Sequence, residues 1–210
     1  MSGWTKHLAH WVLRVFFRLK MEEPPSIQKP SIICANHGSN WDALAMYMIL
    51  PDSGKIVAKK ELSHLPLIGR LLRRWGAIYV DRENNDIRAL REMLQVLKNG
   101  QVLGIFPEGH RMKVQDPHAM KEGIGYLVQK SRVPVYCIYI ESTYHFRSDF
   151  VIRFRPVLQT EEFSSLPRHE ARTMITAKVF NTIYGTHLPI TAFVERPSDP
   201  PQKEENEDPR

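Results

Sequence analysis

Between residues 31 and 184 the chain alternates short apolar runs with helical repeats, and this alternation narrows the possible folds more than any other feature. Short apolar runs predict buried strands, whereas apolar residues three and four apart predict helices. Strands that alternate with helices form a parallel or mixed sheet covered by helices. The sequence therefore predicts an α/β fold with a mixed, mostly parallel sheet flanked by helices. Its 210 residues suffice for one domain with a sizeable core.

The individual elements can be placed from the same patterns. The predicted strands cover residues 31–35, 55–58, 77–80, 102–106, 135–140 and 150–154. The predicted helices cover residues 41–50, 86–98, 120–130 and 168–184. The helix that follows Asn85 has the clearest boundaries, because Asn85 can cap its start and Gly100 follows its end.

An amphipathic helix is predicted at the N-terminus, in residues 1–22. One face carries Trp4, Leu8, Trp11, Val12, Val15, Phe16 and Leu19, and the opposite face carries Lys6, His7, His10, Arg14, Arg18 and Lys20. Leu13 and Phe17 fall outside the apolar stripe, and residues 1–20 contain no acid. These features favour a helix that lies on an anionic membrane surface. The alternative is that the stripe packs against the protein core.

Prolines and charge mark the remaining boundaries. Residues 23–30 are rich in proline and are predicted to form a linker. The main domain is predicted to cover residues 31–196, and residues 197–210 are predicted to be a disordered acidic tail. That tail holds five acids and two bases, which leaves a charge of about +9 on the rest of a chain whose formal charge is +6. A basic body favours phosphate-bearing partners, but charge alone does not distinguish lipid, nucleic acid and phosphorylated substrate.

Cysteine usage and hydropathy bear on the cellular setting. The two cysteines, Cys34 and Cys137, lie inside apolar runs, and no signal peptide with a small-residue cleavage site opens the sequence. We therefore expect a reducing, cytoplasmic setting. No apolar stretch approaches the roughly 18 residues that a membrane-spanning helix needs, so no such helix is expected.

Four short segments each stand at the edge of an apolar run that predicts a strand. They are NHGSNWD at 36–42, GAIYVDR at 76–82, FPEGHR at 106–111 and VPVYCIYI at 133–140. Open α/β sheets bind ligands at the carboxyl ends of their strands. The four segments can therefore converge on one rim of the sheet.

The first segment contains a His and an Asp five residues apart, between a strand and a helix. If Ser39 or Asn40 caps this helix, Asp42 lies in the first turn, where the helix dipole favours a charged carboxylate. Such a carboxylate can hold the imidazole of His37 in one tautomer and strengthen it as a base. The alternative is that Asp42 only completes a capping box with Ser39 and that His37 is an ordinary buried histidine.

The other segments offer phosphate ligands. Glu108, Gly109 and Arg111 follow the strand at 102–106, and Arg82 ends another strand. Glycine lets a ligand approach the backbone, and a guanidinium can grip two phosphate oxygens. Each arginine taken singly can equally be a solvated or ion-paired surface charge.

In this order and spacing the segments resemble the 1-acyl-sn-glycerol-3-phosphate acyltransferase family, whose members convert lysophosphatidic acid to phosphatidic acid. The similarity includes VAKKELSHLPLIGRLLRRWGAIYVDR at 57–82 and covers about residues 31–140. It implies a glycerolipid acyltransferase-like fold, with His37 as the catalytic base and Asp42 as the acid that orients it.

The resemblance also implies a set of substrate-binding residues. These are Arg82, Glu108, Gly109, Arg111, Pro134 and, as a weaker phosphate candidate, Lys60. Two positions depart from the family pattern, since His110 replaces the usual Thr and Cys137 replaces a common second Pro. These departures concern the choice of acceptor more than the type of reaction.

The implied reaction transfers a fatty acyl group from an acyl carrier protein or coenzyme A thioester to the sn-2 hydroxyl of lysophosphatidic acid. A thioester is already activated, so no metal, cofactor or protein nucleophile is expected. The expected location is the cytoplasmic face of a membrane, where residues 1–20 of a peripheral or monotopic protein contact anionic lipid.

Three other functions remain open. The acceptor can instead be glycerol 3-phosphate or a lyso-ornithine lipid, or water can replace it in a thioesterase. A non-enzymatic module that binds anionic membrane or nucleic acid fits the charge, but it leaves the coincidence of the His and Asp pair with EGHR unexplained. No nucleic acid partner is therefore expected.

Overall fold

The computed structural model of the protein describes residues 3–81 and 86–194. Its strands are β1 (Arg18–Met21), β2 (Ser31–Ala35), β3 (Lys55–Lys59), β4 (Ile78–Val80), β5 (Val102–Ile105), β6 (Val135–Ser142) and β7 (Asp149–Phe154). Its α-helices are α1 (Gly3–Phe16), α2 (Asn40–Ile49), α3 (Pro66–Arg74), α4 (Ile87–Lys98), α5 (Gly123–Ser131), α6 (Arg168–Tyr184) and α7 (Thr191–Val194).

The strands form one sheet in the order β1-β7-β6-β2-β5-β3-β4. Strands β6 and β7 pair antiparallel, and the other paired strands described are parallel. This arrangement confirms the predicted mixed, mostly parallel sheet. The polar segment after β2 therefore emerges from the middle of the sheet, between the ends of β5 and β6.

Helices cover the sheet on both faces. Residues Ile32 and Cys34 of β2 pack with α4, α5 and α6, whereas their neighbours Ile33 and Ala35 pack with α1 and α2. Successive residues of a strand point to opposite faces, so all five residues of β2 are buried. The segment that follows β2 therefore begins at a strand that is held in place on both faces.

The N-terminal helix differs from the prediction in length. Helix α1 ends at Phe16, and Arg18–Met21 forms the edge strand β1, which pairs with β7. The edge of β7 offers backbone donors and acceptors to residues 18–21, and this pairing replaces the helical bonds that the sequence pattern predicted.

Helix α1 packs on the core through residues outside the predicted apolar stripe. Ala9, Leu13 and Phe17 are buried, and Phe17 packs against Trp41 and Phe150 with ring centroids 5.2 Å apart in each pair. Most of the apolar stripe faces outward, as a helix on a membrane surface requires, with Trp4 and Trp11 61% and 62% exposed. The packing alternative holds only for the end of the stripe, where Phe16 lies 4.9 Å from the Trp41 ring and Leu19 packs against the core.

Further differences concern other short elements. Helix α3 was not predicted, and α5 begins at Gly123 because a 3₁₀ turn at Pro117–Ala119 precedes it. Asp116 caps that turn through its side chain. Helix α6 spans Arg168–Tyr184 as predicted. Arg82 and the predicted tail at 197–210 lie outside the described residues, so their predictions stand as they were.

The two cysteines face each other on neighbouring strands, in register and buried. They are free thiols, and burial raises the pKa of the Cys34 thiol well above its ordinary value. A buried thiol that holds its proton is a poor nucleophile. Cys34 therefore belongs to the core.

Within residues 3–81 and 86–194, no helix is both long enough and apolar enough to cross a membrane.

Candidate active site

His37 lies just beyond β2, and the segment at 106–112 holds it in place. The backbone N–H of His37 donates to Glu108 Oε2 at 2.8 Å, and its carbonyl accepts from the Met112 N–H at 2.7 Å. The imidazole stacks on the Phe106 ring, with centroids 4.2 Å apart and an interplanar angle of 18°. Two of the four sequence segments therefore meet at one residue.

Asp42 stands in the first turn of α2 and is fully buried. Its Oδ2 accepts the backbone N–H groups of Gly38 and Ser39 at 2.6 and 2.7 Å, and it lies 3.3 Å from His37 Nδ1. Its Oδ1 accepts from the Tyr144 hydroxyl at 3.0 Å. Donors thus surround the carboxylate, as a buried charge requires.

The capping box considered as the simpler alternative is also present. Ser39 caps α2 through its side chain, while the Asp42 carboxylate accepts the Ser39 backbone N–H. One carboxylate therefore closes the helix and faces the imidazole at the same time. The two interpretations of the spacing are compatible.

This geometry suits the imidazole to proton transfer. When Nδ1 carries its proton toward Asp42, the Nε2 lone pair is free to accept a proton from a bound group. The His37 side chain is 11% exposed, so its ring is sheltered yet accessible from the rim. The Nδ1 to Oδ2 distance is long for a hydrogen bond, as such contacts often are before a ligand binds.

Glu108 lies beneath His37 rather than at the surface, since it is only 1% exposed. Its Oε1 accepts from the Tyr184 hydroxyl and its Oε2 from the His37 N–H. Burial raises the pKa of Glu108 from 4.5 to about 7, while the hydrogen bonds from Tyr184 and His37 oppose the rise. The carboxyl group was predicted to bind substrate, but here both of its oxygens face protein donors.

Gly109 and Arg111 lie at the same rim. Gly109 has a positive φ of 75°, and the side chain of Lys121 packs 3.4 Å from the point where a Cβ on Gly109 would lie. A side chain at position 109 would be strained by this backbone conformation. Arg111 is exposed, next to the Met112 N–H that binds His37.

Lys60 also lies at the carboxyl ends of the strands, in a 3₁₀ turn that follows β3. Its Nζ is 3.9 Å from Asp81 Oδ2, so its charge is partly balanced.

Pro134 is not brought to the site. It precedes β6, and its carbonyl accepts from the N–H of Ile32 near the start of β2. Both strands run parallel, so Pro134 lies at the amino end of the sheet, opposite the rim that holds His37. The prediction that Pro134 binds substrate is therefore corrected.

A cavity of 520 Å³ adjoins the site between α4, α5 and the sheet. Apolar residues that line it include Val57, Leu90, Met93, Ile105, Phe106 and Leu127. Gly109 and Lys121 stand at its polar side, with Asp81 and Asp86. Phe106 lines this cavity and also stacks on His37, so the cavity adjoins the imidazole through this ring.

Three site residues were missed or given only a structural role from sequence. Tyr144 and Tyr184 contact the two carboxylates from 102 and 76 positions away, and no local spacing signals such contacts. Lys121 lies beside Gly109, and its backbone N–H donates to the Pro107 carbonyl.

A mixed α/β sheet with an imidazole and a carboxylate at the end of its central strand defines a class of proteins suited to base-assisted group transfer. Within that class, the family model described as Acyltransferase matches residues 17–141, and the chain belongs to this family.

The relatives agree with this assignment. Proteins named 1-acyl-sn-glycerol-3-phosphate acyltransferase from Saccharomyces cerevisiae and Bacillus subtilis are 29% and 32% identical to the chain over 154 and 105 residues. The aligned parts cover 66% and 50% of this chain. They cover 51% and 52% of those two proteins, so the chain spans about half the length of the relatives it matches.

A solved structure shows the same fold. The crystal structure of the 1-acyl-sn-glycerophosphate (LPA) acyltransferase PlsC from Thermotoga maritima matches with a TM-score of 0.64 and 22% sequence identity. The match covers 92% of this chain and 79% of that chain. The predicted glycerolipid acyltransferase-like fold is thereby confirmed.

Proposed function

We propose that the protein transfers a fatty acyl group from an acyl thioester to the sn-2 hydroxyl of 1-acyl-glycerol-3-phosphate and so forms phosphatidic acid. The observation that carries this proposal is the pairing of His37 Nδ1 with the buried Asp42 carboxylate at 3.3 Å, beside an apolar cavity. The relatives bear the name of this activity, which supports its extension to the present chain.

The reaction follows from the protonation of the imidazole. Nε2 of His37 accepts the proton of the lipid hydroxyl while that oxygen attacks the thioester carbonyl carbon. Asp42 stabilises the resulting imidazolium through Nδ1–H. Collapse of the tetrahedral intermediate breaks the carbon–sulfur bond, and the departing thiolate takes the proton from Nε2. General base catalysis of this kind contributes roughly a hundred- to ten-thousand-fold in rate.

The cavity next to Phe106 suits a fatty acyl chain. Burial of each methylene contributes about 0.8 kcal/mol, so an apolar cavity can bind the chain without polar contacts. The thioester carbon at the end of that chain would then lie near the His37 ring, because Phe106 borders both.

Cations at the rim suit the phosphate of the acceptor. Arg111 and Lys121 are exposed there, while Lys60 is near Asp81. We assign the acceptor phosphate chiefly to Arg111, since a guanidinium can donate two parallel hydrogen bonds to phosphate oxygens. Arg82 stays a candidate from its sequence position alone.

The outer face of α1 supports contact with a membrane. Trp4, Leu8, Trp11 and Val15 are exposed on it, and Arg14 lies beside them. An apolar helix face with two tryptophans and basic neighbours is typical of an interfacial helix. We place the protein at the cytoplasmic face of an anionic membrane, as a peripheral or monotopic protein.

One assay tests the whole proposal. Purified protein is given acyl-carrier-protein or coenzyme A thioesters with lysophosphatidic acid, glycerol 3-phosphate or a lyso-ornithine lipid, and the acylated and free products are separated. We expect phosphatidic acid with one or both donors. Acylation of a different acceptor would show that the assigned acceptor is wrong. Release of free fatty acid alone would indicate a thioesterase. Vesicle binding without any turnover would support the alternative of a non-enzymatic module that binds membranes.

A further inference from the structure

Two tyrosines from outside the four sequence segments each donate a hydroxyl to one carboxyl group of the site. Tyr144 donates to Asp42 Oδ1 at 3.0 Å, and Tyr184 donates to Glu108 Oε1. Both tyrosines lie beyond residues 17–141, which the family model matches. We propose that Tyr144 and Tyr184 are positioning residues that hold the two carboxyl groups on either side of His37. The expected effects on kcat rest on the acyl transfer proposed above, whereas the two hydrogen bonds do not depend on it.

Tyr144 is held firmly by its own surroundings. It has a positive φ of 58°, its backbone N–H donates to Ser142 Oγ at 3.0 Å, and its ring meets Phe150 edge-on at 6.1 Å. A left-handed backbone is uncommon for a tyrosine and persists only where surrounding contacts fix it. The hydroxyl therefore reaches Asp42 from a fixed ring.

The ring of Tyr144 also closes the space beside Gly38. A Cβ at Gly38 would lie 2.7 Å from the Tyr144 hydroxyl oxygen, so a larger residue at position 38 would force the Tyr144 ring to shift. The Gly38 N–H itself donates to Asp42 Oδ2. Burial and the nearby Asp42 charge raise the pKa of Tyr144 above its ordinary value, so the phenol keeps its proton as a donor.

Tyr184 reaches the site from the last residue of α6. Its ring packs against Phe180 at 4.6 Å and meets Tyr139 edge-on at 6.0 Å. Arg155 lies over the Tyr139 ring and donates to the Ile183 carbonyl, which fixes the end of α6. Burial and the Glu108 carboxyl group raise the pKa of Tyr184, so this phenol is also a donor.

The two contacts act on His37 from different sides. Asp42 faces the imidazole through Oδ2, and Glu108 holds the backbone N–H of His37 through Oε2. Each tyrosine occupies the other oxygen of its carboxyl group, so loss of a hydroxyl frees that group to turn. A small misplacement of a catalytic base lowers its rate without weakening substrate binding.

The test compares Tyr144→Phe and Tyr184→Phe with Tyr136→Phe. Tyr136 is a buried tyrosine whose hydroxyl donates to the Ser26 carbonyl and accepts from the Gln28 N–H, so its variant loses comparable hydrogen bonds away from the site. We expect kcat to fall about ten- to a hundred-fold in Tyr144→Phe and about five- to twenty-fold in Tyr184→Phe, with acceptor KM nearly unchanged. Tyr136→Phe should lower the melting temperature with little change in kcat.

The pH dependence separates positioning from a general loss of structure. Without the Tyr144 hydroxyl, the Asp42 charge is balanced by fewer donors and attracts the imidazolium more strongly. The acidic limb of the kcat/KM profile should therefore move to higher pH in Tyr144→Phe and stay in place in Tyr136→Phe. Among the described residues, Glu108 and Tyr144 are ionisable groups that interact with His37 or Asp42, and Tyr139 and Tyr184 are in turn neighbours of these two groups.

A titration of ¹⁵N-labelled imidazole, with the His37 signal assigned from His37→Ala, gives the same comparison without turnover. An inactive wild-type protein would overturn the proposed function, yet a shifted His37 titration in Tyr144→Phe would still support the positioning role. An unshifted titration together with kcat values equal to those of Tyr136→Phe would overturn the positioning role.

Discussion

Glu108 accepts the backbone N–H of His37 at 2.8 Å, although the two residues are 71 positions apart. The contact joins the segment that contains the proposed base to the segment that contains the proposed acceptor ligand, Arg111. A shift of one segment would therefore move the other.

His37→Ala should abolish turnover and leave the fold largely intact. In the proposed reaction the imidazole removes the proton of the attacking hydroxyl, so its loss should cost roughly a hundred- to ten-thousand-fold in kcat. His64→Ala is the control, since His64 lies in the 3₁₀ turn after β3 and is exposed. Rates near wild type in His37→Ala would remove His37 from the mechanism.

Glu108 should make the free energy of unfolding depend on pH. Its pKa is raised from 4.5 to about 7 in the folded protein, chiefly by burial. Between these values the folded protein keeps a proton that the unfolded chain releases, so stability falls as the pH rises. The full loss corresponds to about 3 kcal/mol and is complete above pH 7 or so.

Urea unfolding of wild type and Glu108→Gln at about pH 5 and pH 8 checks this sign. The variant cannot titrate, so the wild-type stability should fall relative to the variant between the two conditions, whatever the variant's absolute stability. A constant difference across this range would show that Glu108 has an ordinary pKa in the folded protein.

Arg111→Ala should raise the KM for lysophosphatidic acid more than the KM for the acyl donor, because the guanidinium is assigned to the acceptor phosphate. Arg91→Ala on the exposed side of α4 removes an equal charge away from the rim and should leave both constants close to wild type. Equal changes in KM in the two variants would show that Arg111 is an ordinary surface charge and does not bind the acceptor phosphate.

The outer face of α1 should bind vesicles without contributing to the core. Trp4→Ser combined with Trp11→Ser should reduce flotation with anionic vesicles and leave the thermal melt near wild type, because both side chains are exposed. Leu13→Ala should do the reverse and lower the free energy of unfolding by about 2–5 kcal/mol, because Leu13 is fully buried. Unchanged flotation of the double variant would contradict the membrane role.

The salt dependence of this binding should be modest. Lys6 pairs with Asp52, and both Arg18 and Lys20 pair with Asp149. Each free cation near an anionic surface contributes about 1 kcal/mol, so balanced charges contribute less than the sequence alone suggests. Flotation in low and high salt measures the difference, and complete loss in high salt would indicate that the apolar face contributes little.

The sequence by itself determined the parts of this protein that depend on neighbouring residues. The apolar runs fixed the strands, and the spacing of His37 and Asp42 across one helix cap fixed their proximity. Both signals are local, because strand burial, helix caps and turns depend on residues a few positions apart.

Only the tertiary structure decided contacts between distant residues. It placed Glu108 under His37, brought Tyr144 and Tyr184 to the two carboxyl groups, and placed Pro134 at the amino ends of the strands, away from the rim. It also turned Leu13 rather than Trp11 toward the core and made residues 18–21 a strand. A helical wheel shows which residues share a face, but the neighbouring helix and sheet edge decide which face is buried.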